Sequence, residues 1–151
     1  MIAMPARCLA SALLALVPLL AFADATPVGT WTTMDDDGGE PRSVVAIRIE
    51  DGELRGRIVE LIDPPEPNPV CEACEGERKG QPVEGMEILW GLTRDDDRWS
   101  GGHILDPENG KVYDARVSLQ DGGQTLKVRG FLGVSLLGRT QLWERRSAES
   151  P

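Results

Sequence analysis

The chain has 151 residues and a formal net charge of −9, with 25 acidic and 16 basic side chains. That length suits one domain with a single core and is too short for two ordinary domains. The acidic excess disfavours the phosphate backbone of nucleic acids and anionic membrane surfaces, so we expect no nucleic-acid partner.

The first residues carry the pattern of an export signal. Arg7 precedes an apolar stretch over residues 9–20, and the small-residue motif Ala-Phe-Ala follows at 21–23. This pattern predicts a cleaved signal peptide over residues 1–23, and therefore a periplasmic or secreted product. The stretch is shorter than the roughly 20 apolar residues that cross a bilayer, and no later stretch approaches that length. We expect no membrane-spanning segment.

The first strand-like segment surrounds Trp31. The next, 43–50, alternates apolar and polar residues and ends at Asp51-Gly52, a strong hairpin signal that predicts antiparallel pairing with 54–62. Because the alternation of this partner breaks after Gly56, we expect a bulge or bend there. One face of the third run is predicted to hold Met86, Ile88, Trp90 and Leu92.

Further runs follow at 98–105, 111–119, 124–131 and 137–145, which makes about eight strands. Most connections are short hairpins, and only 63–84 is long enough for a crossover, so the pattern favours an up-and-down barrel over a Greek-key sandwich. An outer-membrane barrel is disfavoured because arginines recur within the runs. The sequence thus predicts an all-β, antiparallel up-and-down barrel over residues 24–145, followed by a flexible tail at 146–151.

Four ordered phrases carry a resemblance to a known family. They are CEACEGERK at 71–79, ILDPENGK at 104–111, VRGFLG at 128–133, and LGRTQ at 137–141 with Trp143. Together they resemble the bacterial exported family known as domain of unknown function 2147, over nearly the whole predicted mature chain. The resemblance implies a lipocalin-like barrel and an exported protein, and it implies no reaction.

Lipocalins typically open with a glycine, one further residue and a tryptophan, and a basic residue from the last strand packs on the indole. Gly29 and Trp31 match the first part of this pattern. We expect Trp31 and Arg139 to form a structural plug at one barrel end, with Arg145 as the other candidate. A cation over an indole contributes about 1 to 2 kcal/mol.

Cys71 and Cys74 are the cysteines that remain after signal cleavage. In an oxidising compartment two thiols at this spacing favour a disulfide that staples the loop. A redox pair and a metal site are the weaker alternatives, because no helix start surrounds the pair and only His103 could add a nitrogen ligand. The aspartate runs at 35–37 and 95–97 lack the spacing of calcium loops and are typical of solvated turns. We expect no metal and no cofactor.

Catalysis has no positive signal in the sequence. His103 is the one histidine, and no serine lies in a nucleophile-elbow setting. The balance therefore favours a non-enzymatic protein, with an enzyme that uses the cysteine pair or His103 as a weaker alternative.

Aromatic and basic side chains in the strands could line a ligand cavity, since eight-stranded barrels are wide enough to hold one small molecule. The same rings could equally fill the core, and strand arginines could lie on the outer wall. The leading hypothesis is a periplasmic carrier of a small, largely apolar and hydrophobic or amphipathic molecule, with an anionic head group if an arginine faces inward. The alternative is a non-catalytic cell-envelope interaction module that uses the Cys71–Lys79 loop. The candidate ligand-binding residues are Trp90, Trp99, Tyr113, Arg116, Arg129, Phe131 and Trp143.

Overall fold

The computed structural model of the protein describes residues 25–36, 39–133 and 138–146. Each of its strands pairs antiparallel with the next, and the last pairs with the first, so the sheet closes into an eight-stranded barrel. The predicted up-and-down barrel is confirmed. The predicted signal peptide and the tail after residue 146 lie outside the described residues. The strands are β1 (Gly29–Met34), β2 (Pro41–Glu50), β3 (Glu53–Leu61), β4 (Glu87–Asp95), β5 (Arg98–Asp106), β6 (Lys111–Gln120), β7 (Thr125–Phe131) and β8 (Gly138–Arg145).

Side-chain alternation along β6 and β7 defines the two faces of the wall. Ala115 and Val117 on β6 pair with Gly130 and Val128 on β7, and the two valines and the alanine are at most 3% exposed. Because successive strand residues point to opposite faces, the residues between them face outward. Alternate, apolar residues of each strand therefore face inward and form the core, as the sequence pattern predicted.

Local backbone features bend the strands. At the β2–β3 hairpin, Asp51 and Gly52 both have positive φ, 51° and 78°, as a two-residue turn between antiparallel strands requires. The expected irregularity near Gly56 is confirmed by register shifts on both sides of this residue against β4. Bulges of this kind increase local twist and help a small barrel to close.

The prediction that Met86, Ile88, Trp90 and Leu92 share one face of a regular strand is wrong for Trp90, whereas the other three side chains are buried in the core. Within β4, Leu89 and Leu92 pair with Gly56 and Leu54 of β3 and are fully buried. Trp90 lies between them and is only partly buried. Gly91 has a φ of 74°, outside the range of a regular strand, so the period of two is interrupted at this point.

The two ends of the barrel differ. The β1–β2, β3–β4, β5–β6 and β7–β8 connections leave from one end, which we call the mouth. The β2–β3, β4–β5 and β6–β7 hairpins lie at the other end, which we call the closed end. The longest described connection, 62–86, carries one turn of 3-10 helix at Gly76–Arg78 and an isolated bridge between Val70 and Pro82. Within the described ranges, no helix is long and apolar enough to cross a membrane.

Candidate functional site

Trp31 plugs the closed end together with Arg145. The Arg145 guanidinium lies 4.2 Å from the centroid of the Trp31 ring, and the ring is fully buried. Arg145 also donates hydrogen bonds to the carbonyl oxygens of Gly123, Val28 and Thr26. The expectation that Arg139 packs on this indole is corrected: Arg139 lies six residues earlier on β8, at the mouth.

A cavity of about 840 Å³ opens at the mouth. Its size falls within the roughly 300–1,000 Å³ that is usual for ligand pockets. The deep part is apolar, and the 62–86 connection contributes Pro64, Pro65, Pro69 and Val83 above it. The barrel is thus plugged at one end and hollow at the other. Strand residues that line the deep part are Ile58, Ile88, Ile104, Tyr113, Val128 and Trp143.

A chain of hydrogen bonds runs along the inner face of β8 from the cavity toward the mouth. Trp143 Nε1 donates to Gln141 Oε1 at 2.9 Å, and Gln141 Nε2 donates to Asp36 Oδ1 at 2.7 Å. Asp36 in turn forms an ion pair with Arg139, which also binds Asp106. Arg139, Gln141 and Trp143 are every second residue of β8, so their side chains lie on the same face of the strand. This face points inward, because Trp143 is buried.

Arg139 joins two sides of the mouth. Its guanidinium lies 2.9 Å from Asp36 Oδ2, beyond the end of β1, and 3.1 Å from Asp106 Oδ2, the last residue of β5. Burial lowers the pKa of Arg139, but the hydrogen bond to Asp106 and the charges of both carboxylates outweigh it, so the pKa lies above its ordinary value. Arg139 is therefore a permanent cation that is already paired with two anions.

The structure divides the seven candidate ligand-binding residues into three groups. Tyr113 and Trp143 line the cavity. Trp99 is 9% exposed and packs in the core opposite Val117. The remaining four belong to the outer wall: Trp90, Arg116, Arg129 and Phe131.

Cross-strand pairs account for the four outer-wall residues. Arg116 pairs with Arg129 on the face opposite Val117 and Val128, and its guanidinium lies 5.6 Å from the Phe131 ring centroid. Trp90 pairs with His103, and Arg78 covers the indole at 4.2 Å. Trp90 also packs against the buried core, and none of the four residues lines the cavity.

His103 has one acidic neighbour on the outer wall. Its Nδ1 lies 3.5 Å from Asp114 Oδ1, and both side chains are almost half exposed. In the described part of the chain, no group of three or more histidine, cysteine, aspartate or glutamate side chains is arranged to hold a metal ion.

The predicted disulfide between Cys71 and Cys74 is present, with Cα atoms 5.4 Å apart. Both residues are buried, although they belong to the 62–86 connection. The Cys71 sulfur lies 3.3 Å from the carbonyl oxygen of Pro107, and Gly110 packs directly against the backbone of Ala73. The disulfide loop therefore docks onto the β5–β6 turn, at the edge of the mouth.

We expect replacement of both cysteines by alanine to cost no more than about 2 kcal/mol of unfolding free energy, because the closed ring is very short. Alanine avoids burying unpaired hydroxyl groups in place of the sulfurs. The larger expected effect is local: the 62–86 connection becomes sensitive to proteases under native conditions. Urea unfolding and limited proteolysis measure the two effects, with reduced wild-type protein as the matched sample. Unchanged cleavage of this connection would show that the disulfide does not hold it down.

Sequence reasoning missed the charged residues of the mouth. Arg139 and Gln141 stand four and two positions before Trp143. Strand alternation could therefore have predicted that they share the face of that indole. Asp36 was assigned to a solvated turn, and Asp106 falls between two predicted strands. No pattern within a turn indicates which cavity the turn borders.

The comparisons with known proteins agree with this architecture. A solved structure described as protein HP1028 from Helicobacter pylori, which belongs to the lipocalin family, is similar to this chain with a TM-score of 0.69 and 19% identity. The match covers 80% of this chain and 82% of that one, and it shows a shared lipocalin-like fold. No curated protein matches the sequence. The profile of a family described as uncharacterized proteins conserved in bacteria, DUF2147, matches residues 29–145, from the start of β1 to the end of β8. The chain therefore belongs to the DUF2147 family, with a lipocalin-like barrel as its fold.

Proposed function

We propose that this protein binds one small, largely apolar molecule inside its barrel and carries it without transforming it. The observation that supports this role is the cavity of about 840 Å³ with an apolar interior and a single described mouth. A barrel filled by its own side chains would leave no such space. Burying apolar ligand surface there contributes about 25 cal/mol per Å² before the cost of association is subtracted.

We further propose that the carrier works outside the cytoplasm, in the periplasm or after secretion. The predicted signal peptide at residues 1–23 supports this location, and the Cys71–Cys74 disulfide fits an oxidising compartment. Reducing agents in the cytosol would act against such a bond.

An anionic head group was a possibility in the sequence because an inward-facing Arg116 or Arg129 could bind it. Both arginines belong to the outer wall, opposite the buried Val117 and Val128. We therefore still propose a largely apolar ligand, but these two arginines no longer support an acidic head group on it.

Gly130 offers a direct test of the carrier role. This residue lines the cavity, and a Cβ built on it would lie 3.4 Å from Ile104 Cγ2 and from Tyr113 Cβ, which is ordinary contact. We expect Gly130→Leu to fold and to place its side chain in the ligand space. Native mass spectrometry of protein purified from its host envelope is expected to find a bound small molecule on the wild type and none on this variant.

The matched control is Arg129→Leu, which adds the same side chain to the neighbouring, outward-facing position of β7. It is expected to retain the bound molecule. If Gly130→Leu retains the molecule as fully as the control does, the ligand is not in the cavity and the carrier proposal fails.

The second candidate is a cell-envelope interaction module that uses the Cys71–Lys79 loop. It is favoured by a groove between this loop and the β5–β6 turn, lined in part by Arg78 and Lys111. Val112 and Leu132 also line the groove and are 42% and 55% exposed. If the same mass spectra show a protein bound both to the wild type and to Gly130→Leu, that result would support this second role.

A further inference from the structure

The charges around the mouth are strongly unequal. Among the described residues that line the cavity are seven carboxylates and two arginines, a formal excess of five negative charges. Both arginines are already paired: Arg42 with Glu108, and Arg139 with Asp36 and Asp106. No basic side chain of the described lining is left over for an acidic ligand.

The mouth already holds one cation in a prepared position. Asp106 is 15% exposed, and its carboxylate accepts hydrogen bonds from the backbone N–H of Glu108 and from Asn109 Nδ2. These contacts fix the carboxylate that binds the Arg139 guanidinium. This ion pair places one cationic group beside the apolar cavity, held there by two carboxylates.

Three further carboxylates stand on the 62–86 connection above the cavity: Asp63, Glu66 and Glu72. Their side chains are exposed, and no hydrogen bond or ion pair joins them to the other described side chains. Within the described ranges no arginine pairs with them, in contrast to Asp36 and Asp106. They produce a negative potential at the point where the polar end of a bound molecule would lie.

We infer that the cavity selects small amphipathic cations, with the apolar body among Ile58, Ile104 and Val128 and an ammonium or guanidinium head at the acidic mouth. This inference rests on the proposed carrier function and adds the charge of the ligand to it. An anionic amphiphile would meet seven carboxylates and would have to displace an aspartate from Arg139 to find a partner. A cation meets Asp63, Glu66 and Glu72, which no hydrogen bond or ion pair joins to another described side chain.

The test compares three ligands with the same ten-carbon tail and different heads: decyltrimethylammonium, decanoate and 1-decanol, each below its micelle concentration. Isothermal titration calorimetry at low ionic strength is expected to give decyltrimethylammonium an affinity at least about tenfold above that of decanoate, with decanol between them. Added salt is expected to narrow this gap, because the mouth charges are exposed to solvent.

The triple variant Asp63→Asn, Glu66→Gln, Glu72→Gln is expected to remove most of the gap and to leave the affinity for decanol unchanged. The matched control is Asp51→Asn, Asp96→Asn, Asp121→Asn. It removes the same charge at the closed-end hairpins, where asparagine tolerates the observed positive φ values. This control is expected to keep the gap.

The outcomes separate the inference from the function on which it rests. Binding of decanol without a preference for the cation, or equal loss of preference in both triple variants, overturns cation selection and leaves the carrier role in place. Failure of all three ligands to bind overturns the carrier role and cation selection together.

Discussion

Alanine at Gly102 is expected to prevent folding or to lower the free energy of unfolding by at least about 3 kcal/mol. A Cβ on Gly102 would overlap the carbonyl oxygen of Trp90 and the backbone nitrogen of Leu92. These are backbone atoms of the neighbouring strand β4, so no side-chain rotation relieves the contact. In the other direction, a Cβ built on Gly91 would lie 3.7 Å from the Cα of Gly102. The two strands therefore approach each other closely at this pair of glycines.

Gly101 is the matched control for this substitution. It precedes Gly102 in β5, has a φ of 80°, and has no atom within 4 Å of a built Cβ. Alanine there meets only the cost of a left-handed backbone, about 1 to 2 kcal/mol. Urea unfolding followed by tryptophan fluorescence measures both variants. If Gly101→Ala is the more destabilising of the two, conformational strain outweighs the close strand approach and our explanation is wrong.

Removal of the Arg145 side chain is expected to cost about 2 to 4 kcal/mol, because charged hydrogen bonds contribute about 1.5 to 3 kcal/mol each but are not additive. Arg145→Ala would leave the carbonyl oxygens of Thr26, Val28 and Gly123 without their donor and would uncover the Trp31 ring. Arg145→Lys keeps the charge but cannot reproduce the planar stack and the three donors, so we expect it to recover less than half of the loss.

Arg139→Ala is the comparison that separates the two ends of the barrel. Arg139 also binds two partners, but its side chain is 55% exposed, and exposed ion pairs contribute about 0 to 1 kcal/mol. Thermal and urea unfolding are expected to place Arg139→Ala within about 1 kcal/mol of the wild type. A loss for Arg139→Ala that equals that for Arg145→Ala would assign the structural role to the mouth and contradict the plug.

The barrel itself was predictable because strand alternation and turn signals repeat in every hairpin. The neighbours of Arg116 and Arg129 favoured the outer wall, since Val117 and Val128 were expected to face the core, but both arginines were also named as candidate ligand-binding residues. Trp90 was placed incorrectly because the pairing of β4 with β3 shifts register between Glu87 and Leu89 and because Gly91 has a positive φ. Neither irregularity leaves a mark in a hydrophobic pattern.

The cavity was less predictable than the wall around it. Aromatic identity was used as the signal for ligand contact, yet Trp90 and Phe131 pack on arginines of the outer surface. Several of the residues that line the deep space are isoleucines and valines, which look the same in a filled core. The placement of the 62–86 connection over the mouth depends on long-range packing of its disulfide loop against the β5–β6 turn, and no local pattern encodes that contact.

Both described chain ends meet at the closed end of the barrel. Residues 25–28 supply carbonyl oxygens to Arg145, and the backbone N–H of Arg146 donates to the carbonyl oxygen of Thr30 at 3.0 Å. An affinity tag or surface linker joined to either of these ends would therefore attach the molecule to a support at its closed end. The entrance would point into solution, and ligand exchange could be followed on an immobilised sample without obstruction from the support.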